Sequence, residues 1–190
     1  MEKMNNAVFL DRDGVINHDA DILYRKEQIV LYPNVKEALK ELKNLDYLLI
    51  VINNQPAIAR GLATEKDAKE LNKFINSKLD NLIDDFYFCP HHPNASVEKY
   101  RKICDCRKPA PGLLLKAAED FDIDLKKSWM IGDMPSDIQA GKLAGYKTIL
   151  IKSENNYKII KSGIKVDSNI QPDARADNLA EAANLIADYK

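Results

Sequence analysis

The feature that most narrows the possible folds is a series of short runs that are apolar throughout. Ala7-Val8-Phe9-Leu10, Leu48-Leu49-Ile50-Val51-Ile52, Phe86-Tyr87-Phe88, Trp129-Met130-Ile131 and Thr148-Ile149-Leu150-Ile151 read as strands. A strand with one wet face alternates polar and apolar residues; these do not, so both of their faces are covered. Between them apolar residues recur at helical spacing. Val35, Ala38, Leu39, Leu42 and Leu45 follow Pro33, and a second helix runs from the cap-like Thr64-Glu65-Lys66-Asp67 to about Leu82. Helices are also predicted from Gly112 to about Phe121, from Ile138 to Ala144 with Gly145 as the stop, and from Asn178 to about Tyr189. Residues 153–175 read as loop. This alternation predicts an α/β fold, a Rossmann-like parallel sheet with helices on both faces. At 190 residues, one domain spanning 1–190 is expected, large enough to bury a full core.

Composition removes several function classes. Lys and Arg number 28 against 29 Asp and Glu, a formal net charge of -1, so nucleic acid is not expected as the main partner. No apolar run approaches the roughly 18 residues of a membrane span. The start, Met1 to Asn6, has no signal-peptide core. Cys89, Cys104 and Cys106 form an odd and closely spaced set, unlike a secreted disulfide framework. These features together predict a cytoplasmic protein.

In parallel sheets ligands bind beyond the carboxyl ends of the strands, so the residues just after each apolar run are the ones to inspect. The first strand ends in Asp11-Arg12-Asp13-Gly14. Carboxylates at i and i+2 of an extended chain lie about 7 Å apart. At an effective dielectric of about 20 their repulsion is roughly 2.5 kcal/mol if both are ionised. A divalent cation or protonation of one acid would offset it. The pair then offers a nucleophilic carboxylate beside a general acid, although Asp and Gly also suit a plain turn. The fourth strand ends in Gly132-Asp133-Met134-Pro135-Ser136-Asp137, again acids at a carboxyl end, or else a helix cap. Mg²⁺ takes hard oxygen ligands and would find them in Asp11 and Asp133. Asn53-Asn54-Gln55 after the second strand could grip phosphate oxygens or form a polar turn. Arg107-Lys108-Pro109 places two cations before a helix, suited to phosphate or simply solvated.

Cys89-Pro90-His91-His92 follows the third strand, and Cys104-Asp105-Cys106 closes the loop. Four soft or borderline ligands at these spacings can form a tetrahedral zinc site. With every position filled by protein, that zinc would be structural. The alternative is free thiols and surface histidines, and spacing alone barely separates His91 from His92.

The joint pattern of Asp-x-Asp-Gly, a polar residue after strand two, a Lys ahead of a helix and Gly-Asp-x-x-x-Asp resembles the haloacid dehalogenase superfamily of phosphohydrolases. Ile58-Ala59-Arg60-Gly61, Cys89-Pro90-His91-His92-Pro93 and Cys104-Asp105-Cys106-Arg107-Lys108-Pro109 make it similar to the heptose bisphosphate phosphatases within that superfamily, and to the related histidinol-phosphate phosphatases. The resemblance runs from about residue 7 to residue 152 and implies no large cap domain.

It also implies a set of roles. Asp11 is the nucleophile and Asp13 the general acid and base. Mg²⁺ would be held by the Asp11 and Asp133 carboxylates and the Asp13 backbone carbonyl. Lys108 and the residue at position 53 would meet the phosphoryl group, Arg107 a second phosphate, and Asp19, Asn54 and Gln55 the sugar. Cys89, His91, Cys104 and Cys106 match the zinc ligands. The implied partner is a small phosphosugar and the implied state a monomer. The sequence departs from the pattern at Asn53, where the family usually has Thr, at Pro56-Ala57, usually Ser-Gly, and at Asp21-Ile22, usually Gly-Tyr. A phosphosugar-binding protein without catalysis is the competing class. A receiver domain carrying a phosphoaspartate places its acceptor after the third strand, which does not match.

Overall fold

The computed structural model describes residues 4–20, 22–152 and 166–189. Six parallel strands form one sheet in the order β3-β2-β1-β4-β5-β6: β1 Asn6–Leu10, β2 Tyr47–Asn54, β3 Asp85–Cys89, β4 Trp129–Gly132, β5 Lys147–Ile151 and β6 Ala174–Ala176. The helices are α1 Val35–Asn44, α2 Pro56–Ala59, α3 Glu65–Lys78, α4 Gly112–Asp120, α5 Pro135–Ala144 and α6 Leu179–Asp188. The chain steps outward from β1 to β2 and β3, then returns to the other side of β1 with β4. The order reverses between β1 and β4, so the loops leaving them diverge and open a crevice.

Successive strand residues point to opposite faces, and the core divides accordingly. Val8, Leu10, Leu49, Val51 and Ile131 pack with Leu39 and Leu42 of α1, Ile75 of α3 and Ile186 of α6. Ala7, Phe9, Ile50, Ile52 and Met130 pack with Leu114 and Ala117 of α4 and Ala140 of α5. Both faces are therefore covered, as the uninterrupted apolar runs predict. A smaller cluster joins Ile58 and Ala59 of α2 and Ala68 of α3 to Ala95 and Tyr100 of the loop after β3.

Helix ends follow their capping chemistry. Thr64 accepts from the Asp67 backbone N–H at 3.1 Å while the Asp67 carboxylate accepts from Thr64 N–H at 2.8 Å. Asn178 caps α6 through Glu181 N–H at 3.0 Å. Gly145 ends α5 at φ 90°.

Four elements differ from the expectations, the first being the helix predicted to run to about Leu82, which ends at Lys78 ahead of the left-handed Asp80 and Asn81. The helix expected at Ile138–Ala144 begins at Pro135, because Pro suits the first helical position and Asp137 accepts from Met134 N–H at 3.0 Å. The short helix Pro56–Ala59 starts on proline in the same way. Within 153–175, expected to be loop, residues 153–165 lie outside the described residues, while Ala174 and Arg175 belong to β6, which pairs with Ile149–Ile151 of β5. A three-residue edge strand carries too little apolar pattern to be read from sequence.

Leu39 is fully buried between α1 and the sheet. Leu39→Ala is expected to lose about 2–5 kcal/mol of unfolding free energy; a urea titration showing less than about 1 kcal/mol would contradict this packing.

Candidate active site

The acids converge at the crevice. Asp11 leaves the end of β1 with its backbone N–H bonded to Ile131 O of β4 at 2.9 Å, which locks the two strand ends together. Asp133 follows β4 and Asp137 lies in the first turn of α5. Carboxylate oxygens of Asp11, Asp133 and Asp137 lie within 4.8 Å of one another. Gly14, at φ +91°, is needed beside them: a Cβ there would run into the Asp133 carboxylate, and its backbone is left-handed.

Lys108 binds this cluster together. Its buried ammonium lies 2.8 Å from Asp11 Oδ1, 2.7 Å from Asp137 Oδ1 and 2.7 Å from the Ile52 carbonyl of β2, so its three N–H donors meet three acceptors. Burial alone would push the ammonium down, but the Asp11 and Asp137 carboxylates outweigh it and hold the group above its ordinary value. Burial pushes the Asp11 carboxyl up to about 7; Lys108 opposes that rise, and Asp137 and Asp13 add to it.

Asp13 turns elsewhere. Its carboxylate receives Arg12 Nε at 3.0 Å, Arg12 Nη2 at 2.8 Å and Asn17 Nδ2 at 2.9 Å. It stands next to the cluster but outside its grouped oxygens.

The amides at the end of β2 bond mainly to neighbouring protein groups. Asn54 donates through Nδ2 to Lys108 O at 3.1 Å and accepts from Lys108 N–H at the same distance. Its amide thus holds the lysine's backbone, with one Nδ2 hydrogen and one Oδ1 lone pair left over. Gln55 is buried, with Nε2 donating to Leu23 O at 3.1 Å and Oε1 accepting from Arg12 and Asn53. Asn53 is also buried; its Nδ2 reaches Gln55 Oε1 at 3.2 Å, and its Oδ1 has no hydrogen-bond partner. Asp19 is exposed.

The second cluster forms where β3 ends. Cys89 Sγ lies 3.6 Å from Cys104 Sγ and 3.0 Å from Cys106 Sγ, and His91 Nδ1 is 3.1 Å from Cys106 Sγ. Ligands on the edges of a tetrahedron around zinc would stand about 3.5–3.8 Å apart, slightly wider than some of these. His91 supplies the nitrogen. His92 lies outside the cluster, with Nδ1 accepting from Asn94 N–H at 3.0 Å. The Cys106 thiol is held down at about 5, first by its hydrogen bond with Cys89 and further by Cys104 and His91, while Cys89 is pushed up. Arg107 follows directly, buried, with Nη1 donating to His91 O at 3.1 Å and Nε unpartnered. Burial pushes its guanidinium below the ordinary value.

Known proteins resemble this chain in sequence and in fold. The HAD-hydrolase-like family model matches residues 105–182. D-glycero-beta-D-manno-heptose-1,7-bisphosphate 7-phosphatase of Salmonella typhi is 40% identical over 157 residues, covering 80% of this chain and 84% of that protein. The enzyme of that name from Escherichia coli K12 is 41% identical over 157 residues, covering 80% and 82%. The chain belongs to this heptose bisphosphate phosphatase family. Membership makes it a phosphoric monoester hydrolase of the HAD superfamily. The fold agrees: the crystal structure of D,D-heptose 1,7-bisphosphate phosphatase from B. bronchiseptica, complexed with magnesium and phosphate, matches with a TM-score of 0.80 at 26% identity, over 97% of this chain and 99% of that one. Among the described residues no cap domain is inserted between the motifs. Among the described residues no helix is long and apolar enough to cross a membrane.

Sequence reasoning missed three residues of the site. Asp137 is in the quoted Gly-Asp-x-x-x-Asp motif, and its spacing from Asp133, one helical turn, was the available signal. Asn17 and Asn72 carry no sequence signal, because each acts through a fold-dependent contact.

Replacing Lys108 by Met leaves Asp11 and Asp137 buried beside each other without their cation. Such breakage is expected to destabilise the fold by about 3–5 kcal/mol. Urea unfolding in the absence of divalent cations measures this, and a loss below about 1 kcal/mol would show the ammonium is not what balances the two acids.

Proposed function

We propose that this chain removes the 7-phosphate of D-glycero-D-manno-heptose 1,7-bisphosphate, acting as one cytoplasmic, monomeric domain over residues 1–190 in nucleotide-activated heptose synthesis. The observation that carries the reading is the carboxylate cluster of Asp11, Asp133 and Asp137 around Lys108 at the β1–β4 crevice, in a chain 40% identical to a phosphatase of that name.

An oxygen of Asp11 attacks phosphorus as the bond to the sugar oxygen breaks, and Asp13 protonates that departing oxygen. The product is an aspartyl phosphate on Asp11 and a free sugar hydroxyl. Asp13, now a carboxylate, takes a proton from water, whose oxygen attacks phosphorus and restores the Asp11 carboxylate with release of inorganic phosphate. Lys108 touches Asp11 and offsets charge on the phosphoryl oxygens. Asn53 lines the same strand end. Arg107, buried with an unpartnered Nε, is the group proposed for the second phosphate, and the exposed Asp19 for the sugar.

The donor set suits Mg²⁺: hard carboxylate oxygens gathered within 4.8 Å, with Gly14 leaving space against Asp133. The Asp11 and Asp133 carboxylates and the Asp13 backbone carbonyl would hold it, since both Asp137 oxygens are engaged, Oδ1 by Lys108 and Oδ2 by Met134 N–H, whereas Lys108 takes only Oδ1 of Asp11. When bound, the ion supplies positive charge against the phosphoryl oxygens. Three sulfurs and one imidazole nitrogen equally suit a closed, structural Zn²⁺ site at Cys89, His91, Cys104 and Cys106. Histidinol-phosphate phosphatase is the second reading, favoured by the shared Cys/His loop.

Phosphate release from both anomers of the bisphosphate and from histidinol phosphate tests the assignment. The heptose is expected to be the better substrate, and Asp11→Asn to reduce its turnover by at least about 10³-fold. Turnover of histidinol phosphate alone would transfer the chain to the second reading.

Elemental analysis of the purified protein is expected to find one zinc per chain. Cys106→Ser should lower the zinc content and the melting temperature together. Full zinc occupancy in that variant would remove Cys106 from the ligand set.

A further inference from the structure

Arg12 stands between the two acids of the first motif, yet no step above uses it. Its side chain is fully buried. A buried cation carries a desolvation penalty of several kcal/mol, and a buried ion pair is poor evidence for stability. An apolar residue would fill the same space at less expense, so the reason for a guanidinium here lies in its geometry.

That geometry is directed at Asp13. Nε and Nη2 reach the two carboxylate oxygens at 3.0 and 2.8 Å, a two-point contact between sequence neighbours. Nη1 reaches Asn72 Oδ1 of α3 at 3.2 Å, and Nη2 also reaches Gln55 Oε1 at 3.3 Å. The guanidinium is thus braced by two elements remote from the first motif. Asn17 Nδ2 adds a third donor to Asp13 at 2.9 Å. A carboxylate on two free torsions is in this way fixed in plane and position.

We propose that Arg12, braced by Asn72 and Gln55, is a positioning residue that holds the Asp13 carboxyl on the leaving-group side of the site, apart from the Asp11, Asp133 and Asp137 oxygens. The inference rests on the reading of Asp13 as general acid and base. Without the clamp, Asp13 can swing toward Lys108 and the cation-binding oxygens, and the departing oxygen loses its proton donor. When Asp13 gives up its proton as the P–O bond breaks, the carboxylate left behind already faces its counter-ion.

The test is leaving-group dependence of kcat/KM, which covers steps up to release of the alcohol. A sugar phosphate must be protonated as it departs, whereas p-nitrophenolate leaves unaided. Arg12→Lys and Arg12→Met are expected to lose at least about 100-fold in kcat/KM on the heptose bisphosphate, or on whichever alkyl phosphate the enzyme turns over best. On p-nitrophenyl phosphate they should lose no more than about 5-fold. Should Arg12 variants fail to fold, Asn72→Ala removes one brace and is expected to show the same selective loss, about 5- to 10-fold on the sugar phosphate alone. Parallel losses on both substrates in the folded variants mean Arg12 is only structural and overturn the proposal. Asp13→Asn separates the two ideas: if it too falls equally on both substrates, Asp13 is not the acid, and the functional reading fails rather than the clamp alone.

Discussion

The contact on which the rest depends is the Lys108 ammonium between the buried Asp137 carboxylate and the part-buried Asp11 carboxylate. It joins the end of β1 through Asp11, the first turn of α5 through Asp137 and the end of β2 through the Ile52 carbonyl. Two acids at that separation repel strongly away from bulk water. The parallel sheet brings strand ends together whatever residues they carry, so the acids are a consequence of topology that needs a cation to be tolerated. Lys108 offsets the repulsion with a geometry that uses every N–H it has. The same arrangement engages both oxygens of Asp137, Oδ1 by Lys108 and Oδ2 by Met134 N–H, whereas Lys108 takes only Oδ1 of Asp11.

The remaining acid is handled separately. Asp13 has its own guanidinium from the next residue in sequence, so the motif Asp11-Arg12-Asp13 contains two acids with two different cations. This resolves the repulsion estimated from the sequence in a way the sequence does not display. One acid is shared with a lysine about a hundred residues away in the chain, and the other is clamped locally. Separate partners are what allow neighbouring carboxylates to hold different chemical roles.

How far the sequence was legible follows from what each pattern physically encodes. Runs such as Leu48–Ile52 are apolar because both sheet faces are covered, so five strands and the α/β class can be read directly. Ala174–Ala176 is half exposed at the sheet edge and carries no such imprint. Pro56–Ala59 is one turn long, too short for periodicity. Asp11 and Asp133 are legible because each directly follows an apolar strand, and Lys108 because it stands just ahead of a helix. Asn54 and Gln55 also sit after a strand, but residue type does not say which way an amide points; here both point inward, to Lys108 and to Arg12. Asn72 was invisible for the opposite reason, being a polar residue on an amphipathic helix that happens to turn into the site.

The Cys/His cluster acts on the active site through chain connectivity. Cys106 is followed at once by Arg107 and Lys108, so whatever fixes the thiol fixes the start of the segment that delivers both cations. Asn54 grips the lysine backbone from the other side, with two hydrogen bonds to its N–H and carbonyl. Lys108 therefore reaches the acids from a backbone held at two points, one in the sheet and one in the loop after β3. That loop has only a small apolar contact of its own, Ala95 and Tyr100 against α2 and α3, which is too little to order a polar segment of this length. A metal ion held by Cys89, His91, Cys104 and Cys106, as proposed, would supply what the core there lacks. The loop after β3 is thereby tied to the backbone that places the Lys108 ammonium between Asp11 and Asp137.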